Sequence, residues 1–251
     1  MTVTLTGLET TLQSGELTLP LMTYRPRGPG PFPAVIVAPG SIFQGMFEIM
    51  EWISSRLAAA GIYAVTLKWR DGSPIHDPDD ISAVIDWLEQ QPGVDAGHIG
   101  IMGGSRGAMS ALRSAALDPR IRAVATFGAI IDLMQYIRAL AAYAPGRYRM
   151  MVQWLGGEPD ERREFYETVQ AISYANRIKQ PVLLVHGAAD MHCPPEHSLW
   201  MKRELERYGN DKVAIEIVPS MGHYGDVIPN SYDFDRLGSL LVPFFEQQLR
   251  R

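Results

Sequence analysis

Ile99-Gly100-Ile101-Met102-Gly103-Gly104-Ser105-Arg106-Gly107 is the most informative stretch of this sequence. Its first four residues are an apolar run of strand length, and Arg106–Leu117 carries apolar positions at helical spacing. Between them stands a serine with glycine two places before it and two places after. With 23 glycines in 251 residues a chance match is expected about 0.1 times by composition arithmetic, so the motif needs its context. A strand that passes straight into a helix through one serine needs a very tight turn. Such a turn strains the serine backbone and leaves no room for side chains two residues to either side. The hydroxyl then stands proud of the strand at a helix N-terminus, where the dipole favours developing negative charge. The plainer alternative is a serine N-cap between loop glycines, and the flanking strand and helix weigh against it.

The same alternation runs along the chain. Ala34–Ala38 is an apolar run ending in Pro39-Gly40, followed by a helical pattern over Phe47–Ala60. Tyr63–Trp69 is a strand, and Asp79–Gln91 a helix with apolar Ile81, Val84, Ile85 and Leu88. Ile121–Phe127, Val182–Val185 and Val213–Val218 read as further strands, Pro194–Tyr208 and Phe234–Arg250 as helices. Met1–Gln13 alternates as an edge strand does. Apolar strands alternating with helices imply an α/β fold, a mostly parallel sheet of about eight strands covered on both faces. Ligands of such sheets sit beyond the carboxyl ends of the strands. One segment breaks the rhythm: 131–178 is too long for one crossover helix. It shows helical patterns at Leu133–Ala142 and Glu161–Gln170, with Tyr148–Trp154 between them. The expectation is a single domain over 1–251 in which 131–178 forms a small helical cap, or else a longer crossover on the flank of the sheet.

Bulk properties narrow the function classes. A 46% apolar composition supports a large core, and a net charge of −5 disfavours nucleic acid or an anionic membrane as partner. No apolar run reaches the roughly eighteen residues of a membrane span, and Met1–Gln13 lacks the pattern of a signal peptide. The single cysteine, Cys193, rules out an internal disulfide. A cytoplasmic location is therefore expected. An edge strand or the last helix could pair two copies, so a homodimer is one expected assembly.

A serine hydroxyl is a weak nucleophile until a histidine takes its proton and a carboxylate holds that ring. Asp190 lies in the loop after Val182–Val185, and His223 in the loop after Val213–Val218. The chain order serine, acid, histidine suits a sheet of this kind. Asp132, after the strand before 131–178, is the rival acid, while Asp226 reads as a solvated loop residue. His76 and His98 precede the serine in apparent loops, and His186 reads as structural. His192, Cys193 and His197 are too weak a set for a metal site, so no metal or other cofactor is expected. Two donors must also face the carbonyl oxygen as it becomes an oxyanion. The backbone N–H of Arg106 is one candidate. The other comes from Pro39-Gly40-Ser41-Ile42, where Ser41 is preferred to Ile42.

Three stretches together resemble the prolyl-oligopeptidase-like and dienelactone-hydrolase-like branch of the α/β-hydrolases. They are Asp79 through Gln91-Pro92-Gly93-Val94-Asp95 into Gly107, Ile178 through His186-Gly187 with Asp190, and Gly222-His223. The likeness spans about Pro31 to Arg250, and it implies the α/β-hydrolase fold with Ser105, Asp190 and His223 as the triad. The sequence departs from that branch at Pro39-Gly40, where relatives carry His-Gly or Gly-Gly, and at Gly107-Ala108. Dienelactone hydrolases use a cysteine nucleophile, so their activity is not implied. About thirty residues precede Pro31, too few for a propeller blade, so no propeller is expected.

The function expected first is a carboxylesterase acting on a small, fairly apolar ester through an acyl-enzyme. Met46, Met191, Met221, Met150, Met151 and Trp154 are its candidate acyl-pocket residues, with core filling as the alternative for each methionine. A peptidase or amidase on short peptides or acyl amides comes second, and a non-catalytic binding protein on the same fold third.

Overall fold

The computed structural model describes residues 7–40, 48–70, 72–219, 221–223 and 231–249. Its strands are β1 (Leu8–Ser14), β2 (Leu17–Tyr24), β3 (Phe32–Ala38), β4 (Tyr63–Leu67), β5 (Val94–Gly104), β6 (Ile121–Phe127), β7 (Val182–Gly187) and β8 (Val213–Val218). The helices are α1 (Glu48–Ala59), α2 (Asp77–Glu89), α3 (Arg106–Leu117), α4 (Leu133–Tyr143), α5 (Pro145–Leu155), α6 (Arg163–Val169), α7 (Glu196–Arg207) and α8 (Ser231–Gln248). All eight strands form one sheet in the order β1-β2-β4-β3-β5-β6-β7-β8. The pairs β1–β2 and β2–β4 are antiparallel; β4, β3, β5, β6, β7 and β8 run parallel.

Strand alternation builds two cores. In β3, Ala34, Ile36 and Ala38 face one side, packing with Ile81, Val84 and Leu88 of α2 and with Ala108 and Leu112 of α3. Val35 and Val37 face the other, with Ile53 and Leu57 of α1 and Leu241 and Phe245 of α8. Where both faces are covered, as in β3, β4 and β7, the parallel strands are apolar on both faces, which is why they read as continuous runs. Each buried Ile, Leu or Val contributes about 1.5–3 kcal/mol relative to exposure, so the sheet is a stiff platform.

Some boundaries differ from the sequence reading. β2 completes a hairpin with β1, and Gly15 at φ 60 makes the turn. β5 extends from Val94 through Gly104, so His98 lies in a strand and not in a loop. Segment 131–178 holds three helices, α4, α5 and α6, followed by a 3₁₀ segment at Ala171–Arg177. Among the described residues, no helix is long and apolar enough to cross a membrane.

Candidate active site

The carboxyl ends of β5, β6, β7 and β8 are adjacent, and the loops that follow them converge there. Ser105 closes β5 with φ 54 and ψ −116, a conformation that costs a non-glycine residue about 1–3 kcal/mol. The strain is held by close packing. A Cβ on Gly107 would lie 2.0 Å from the Ala38 carbonyl oxygen, and one on Gly103 would lie 2.1 Å from the Gly107 oxygen. Only glycine fits at either place. Ser105 N–H donates to the Phe127 oxygen at 3.0 Å, which ties the turn to the end of β6.

His223 Nε2 lies 3.0 Å from Ser105 Oγ, and its Nδ1 lies 2.7 Å from Asp190 Oδ2. A carboxylate can only accept, so the ring proton sits on Nδ1 and Nε2 accepts from the serine hydroxyl. The loops bearing the acid and the base are laced together, with Ala189 N–H donating to the Met221 oxygen at 3.0 Å. Asp190 and His223 are both buried.

Asp190 has further donors. Oδ1 accepts from the N–H groups of His192 and Cys193 at 2.9 and 2.8 Å, and His186 Nε2 lies 3.2 Å from Oδ2. Burial alone would raise this carboxyl. The hydrogen bonds from His186 and His223, the charge of His223 and the Cys193 N–H outweigh it and hold the group far below the usual carboxylate range. His186 Nε2 also lies 2.9 Å from the Cys193 carbonyl oxygen, so this nitrogen carries the proton. Its Nδ1 then accepts from Ser198 Oγ at 2.7 Å. His186 is thus structural in the sense expected, but it also supports the acid. The rival Asp132 is the N-cap of α4, accepting from Gln135 N–H at 2.8 Å.

Gly128, which follows β6, adopts φ 59, and a Cβ there would lie 3.1 Å from His223 Nδ1 and 3.4 Å from Asp190 Oδ2. Its place after an apolar strand was the only sequence signal for that role.

The N–H of Arg106 belongs to the first turn of α3, at the positive end of the helix dipole. Ser41 and Ile42, like Met46 and Asp226, lie outside the described residues. The described start of that loop runs beside the serine, since a Cβ on Gly40 would lie 3.3 Å from Ser105 Cβ. Trp69 Nε1–H donates to the Pro39 oxygen at 3.0 Å and fixes this turn. The Arg106 side chain is buried, with Nε and Nη2 on the two Asp77 oxygens at 2.9 and 2.6 Å. Its guanidinium carbon lies 5.1 Å from the Trp69 ring centroid. One cluster therefore joins both flanks of Ser105.

A cavity of about 560 Å³ opens beside Ser105. Its lining includes Met109, Ile130, Leu133, Met150, Met151 and Trp154, along with Arg106, Arg147 and His192. Met150, Met151 and Trp154 lie where the sequence reading put them. Met221 does not, being fully buried against α8, and Met191 is 89% exposed outside the lining. Met221 follows β8 too closely to leave the core. His192, Cys193 and His197 point to separate surroundings. His192 faces the cavity, Cys193 Sγ meets the Ala129 oxygen at 3.2 Å, and His197 packs on Tyr136 and Trp200. Among the described residues, no group of three or more potential metal ligands comes together.

A hydroxyl within reach of an imidazole whose far nitrogen is held by a buried carboxylate is an arrangement suited to activating an alcohol as a nucleophile. The chain is similar in sequence to several known proteins. The chain is 27% identical over 132 residues to an uncharacterised peptidase of Bacillus subtilis, covering 52% of this chain and 50% of that protein. It is 32% identical over 115 residues to an acetyl esterase of Xylanibacter ruminicola, covering 45% and 25%. It is 26% identical over 183 residues to the 2,6-dihydropseudooxynicotine hydrolase of Paenarthrobacter nicotinovorans, covering 68% and 48%. The chain thus spans half or less of the length of these relatives.

Two solved structures share the fold. Pyrococcus horikoshii acylaminoacyl peptidase superposes with a TM-score of 0.82 at 21% identity, covering 99% of this chain and 42% of that one. Est1E from Butyrivibrio proteoclasticus superposes at 0.77 and 15% identity, covering 97% and 99%. The profile of the prolyl oligopeptidase family matches residues 68–250, which contain Ser105, Asp190 and His223. The chain belongs to the prolyl oligopeptidase family, within the α/β-hydrolases.

Proposed function

We propose that this protein is a carboxylesterase that cleaves small, largely apolar esters through an acyl-enzyme on Ser105. The observation that carries the proposal is His223, within hydrogen-bond distance of both Asp190 and Ser105, the latter lining a mostly apolar cavity. In this reading His223 Nε2 takes the Ser105 proton as Oγ attacks the ester carbonyl. Asp190 keeps the imidazole in the required tautomer and offsets its charge. Collapse of the tetrahedral adduct expels the alcohol, which receives the proton from His223. Water, deprotonated by the same ring, then releases the acid. The N–H of Arg106 and a donor from the turn after Pro39, Ser41 or Ile42, stabilise the oxyanion.

A peptidase or amidase is the second reading, supported by the peptidases among the relatives. An amine leaving group must be protonated to depart, which places a stricter demand on His223. Matched 4-nitrophenyl esters and aminoacyl 4-nitroanilides, run with Ser105→Ala as control, separate the two. The ester reading expects kcat/KM for esters to exceed that for anilides, with both lost in the variant. Faster anilide turnover would reverse the assignment.

A further inference from the structure

The cavity beside Ser105 is apolar along most of its wall. Two guanidinium groups border it, Arg106 and Arg147, and their situations differ. Arg106 donates to both oxygens of Asp77 and to the carbonyls of Gly72 and Ser73, so a buried carboxylate meets its charge. Arg147, on α5, is half-buried and touches His192 Nδ1, and its guanidinium carbon lies 5.7 Å from the Tyr136 ring centroid. No carboxylate among the described residues lies within ion-pair distance of it.

Both neighbours of Arg147 are neutral near pH 7. Burial, the Arg147 charge and His223 all lower the His192 imidazole, and burial raises the Tyr136 phenol. The buried carboxylate of this region, Asp190, is engaged by His223, His186 and two backbone N–H groups. The positive charge at the cavity is therefore unmatched within the described protein, and desolvation by a bound ligand would strengthen its pull on an anion.

Position adds a second constraint. The His192 and His223 ring centroids are 5.4 Å apart, so one side chain, His192, separates Arg147 from the imidazole that bonds Ser105. A ligand with its carbonyl at Ser105 and its other end at Arg147 would share the cavity with the apolar side chains that line it. We propose that Arg147, steadied by His192 and Tyr136, binds a carboxylate at the far end of the substrate, so that the site selects esters with an apolar middle and an anionic end. This rests on ester cleavage at Ser105 and names the substrate class for it. The planar guanidinium suits a carboxylate, and the flexible Met150 and Met151 accommodate different spacer lengths.

The test compares 4-nitrophenyl half-esters of glutarate, adipate and pimelate with neutral 4-nitrophenyl esters of equal chain length. The native protein, Arg147→Gln and Arg147→Lys are assayed, and each variant's melting is recorded. The ratio of kcat/KM for the best half-ester to its neutral counterpart should fall at least about tenfold in Arg147→Gln, the loss expected for one charge-assisted hydrogen bond, and partly recover in Arg147→Lys. A ratio unchanged by Arg147→Gln would overturn the proposal.

Calorimetry needs no turnover. Monoethyl adipate should bind Ser105→Ala at least about tenfold more tightly than Ser105→Ala/Arg147→Gln, and equal affinities would again overturn it. A calorimetric difference without cleavage of any ester would support the anion site and refute the esterase reading. Acetyl-dialanine with a free carboxyl terminus, titrated against its amide, tells whether a peptide end can supply the same anion.

Discussion

His186 Nε2 lies 3.2 Å from Asp190 Oδ2, the same oxygen that accepts from His223 Nδ1. The acid that orients the candidate base is therefore gripped from two sides. Its carboxyl lies far below the unfolded value of about 3.9, so its stabilising contribution is complete above that pH and is lost as acid protonates it. Asp190→Asn should lower the urea midpoint at pH 6, and the gap to the native protein should begin to narrow below about pH 4 and go on narrowing well below pH 3. A gap independent of pH would contradict this origin of the stability.

Gly128 bears on the same pair from the other side. Gly128→Ala strains a φ of 59 and sets a methyl group 3.1 Å from His223 Nδ1. The stability cost should be about 1 kcal/mol, because the ring and the loop can shift. The shift falls on the reacting geometry, where about 1 Å can cost on the order of 100-fold. Steady-state ester kinetics should show kcat reduced by about 10–100-fold with a nearly unchanged melting temperature; native kcat would refute the account.

Trp69 positions the turn on the opposite flank of Ser105. Trp69→Phe keeps a ring under Arg106 but removes the donor to the Pro39 oxygen. The orphaned carbonyl should cost about 1–2 kcal/mol. If the turn contributes an oxyanion donor, kcat should fall several-fold with little change in KM. A change confined to KM would assign the turn to substrate binding.

Asp77 compensates the buried Arg106 guanidinium and also accepts from Ser110 Oγ at 2.5 Å. Asp77→Ala strands a buried cation next to Ser105, and such single breaks cost about 3–5 kcal/mol. Equilibrium urea unfolding should show that loss. The double variant Asp77→Leu/Arg106→Met should be the more stable of the two, since the Arg106 charge is removed together with its partner.

The fold was readable in the sequence because most of the parallel strands are apolar on both faces and each loop with candidate chemistry follows an apolar run. Ser105, Asp190 and His223 could be placed by that rule, and the structure brings their side chains within hydrogen-bond distance of one another. Interactions between distant segments were not readable. The contacts of Trp69 with Pro39, Arg147 with His192 and Gly128 with His223 depend on how loops from separate strands meet, and none leaves a local pattern. Met221 was assigned to the pocket from residue type alone, which does not distinguish a pocket wall from the core beneath it.

The central claim is that Ser105 is the attacking group, activated by His223. Its most direct test is labelling with a fluorophosphonate, followed by digestion and mass spectrometry. A single adduct on the peptide containing Ser105, absent in Ser105→Ala and formed far more slowly in His223→Ala, is the predicted result. An adduct on another residue, or undiminished labelling of Ser105→Ala, would contradict the claim.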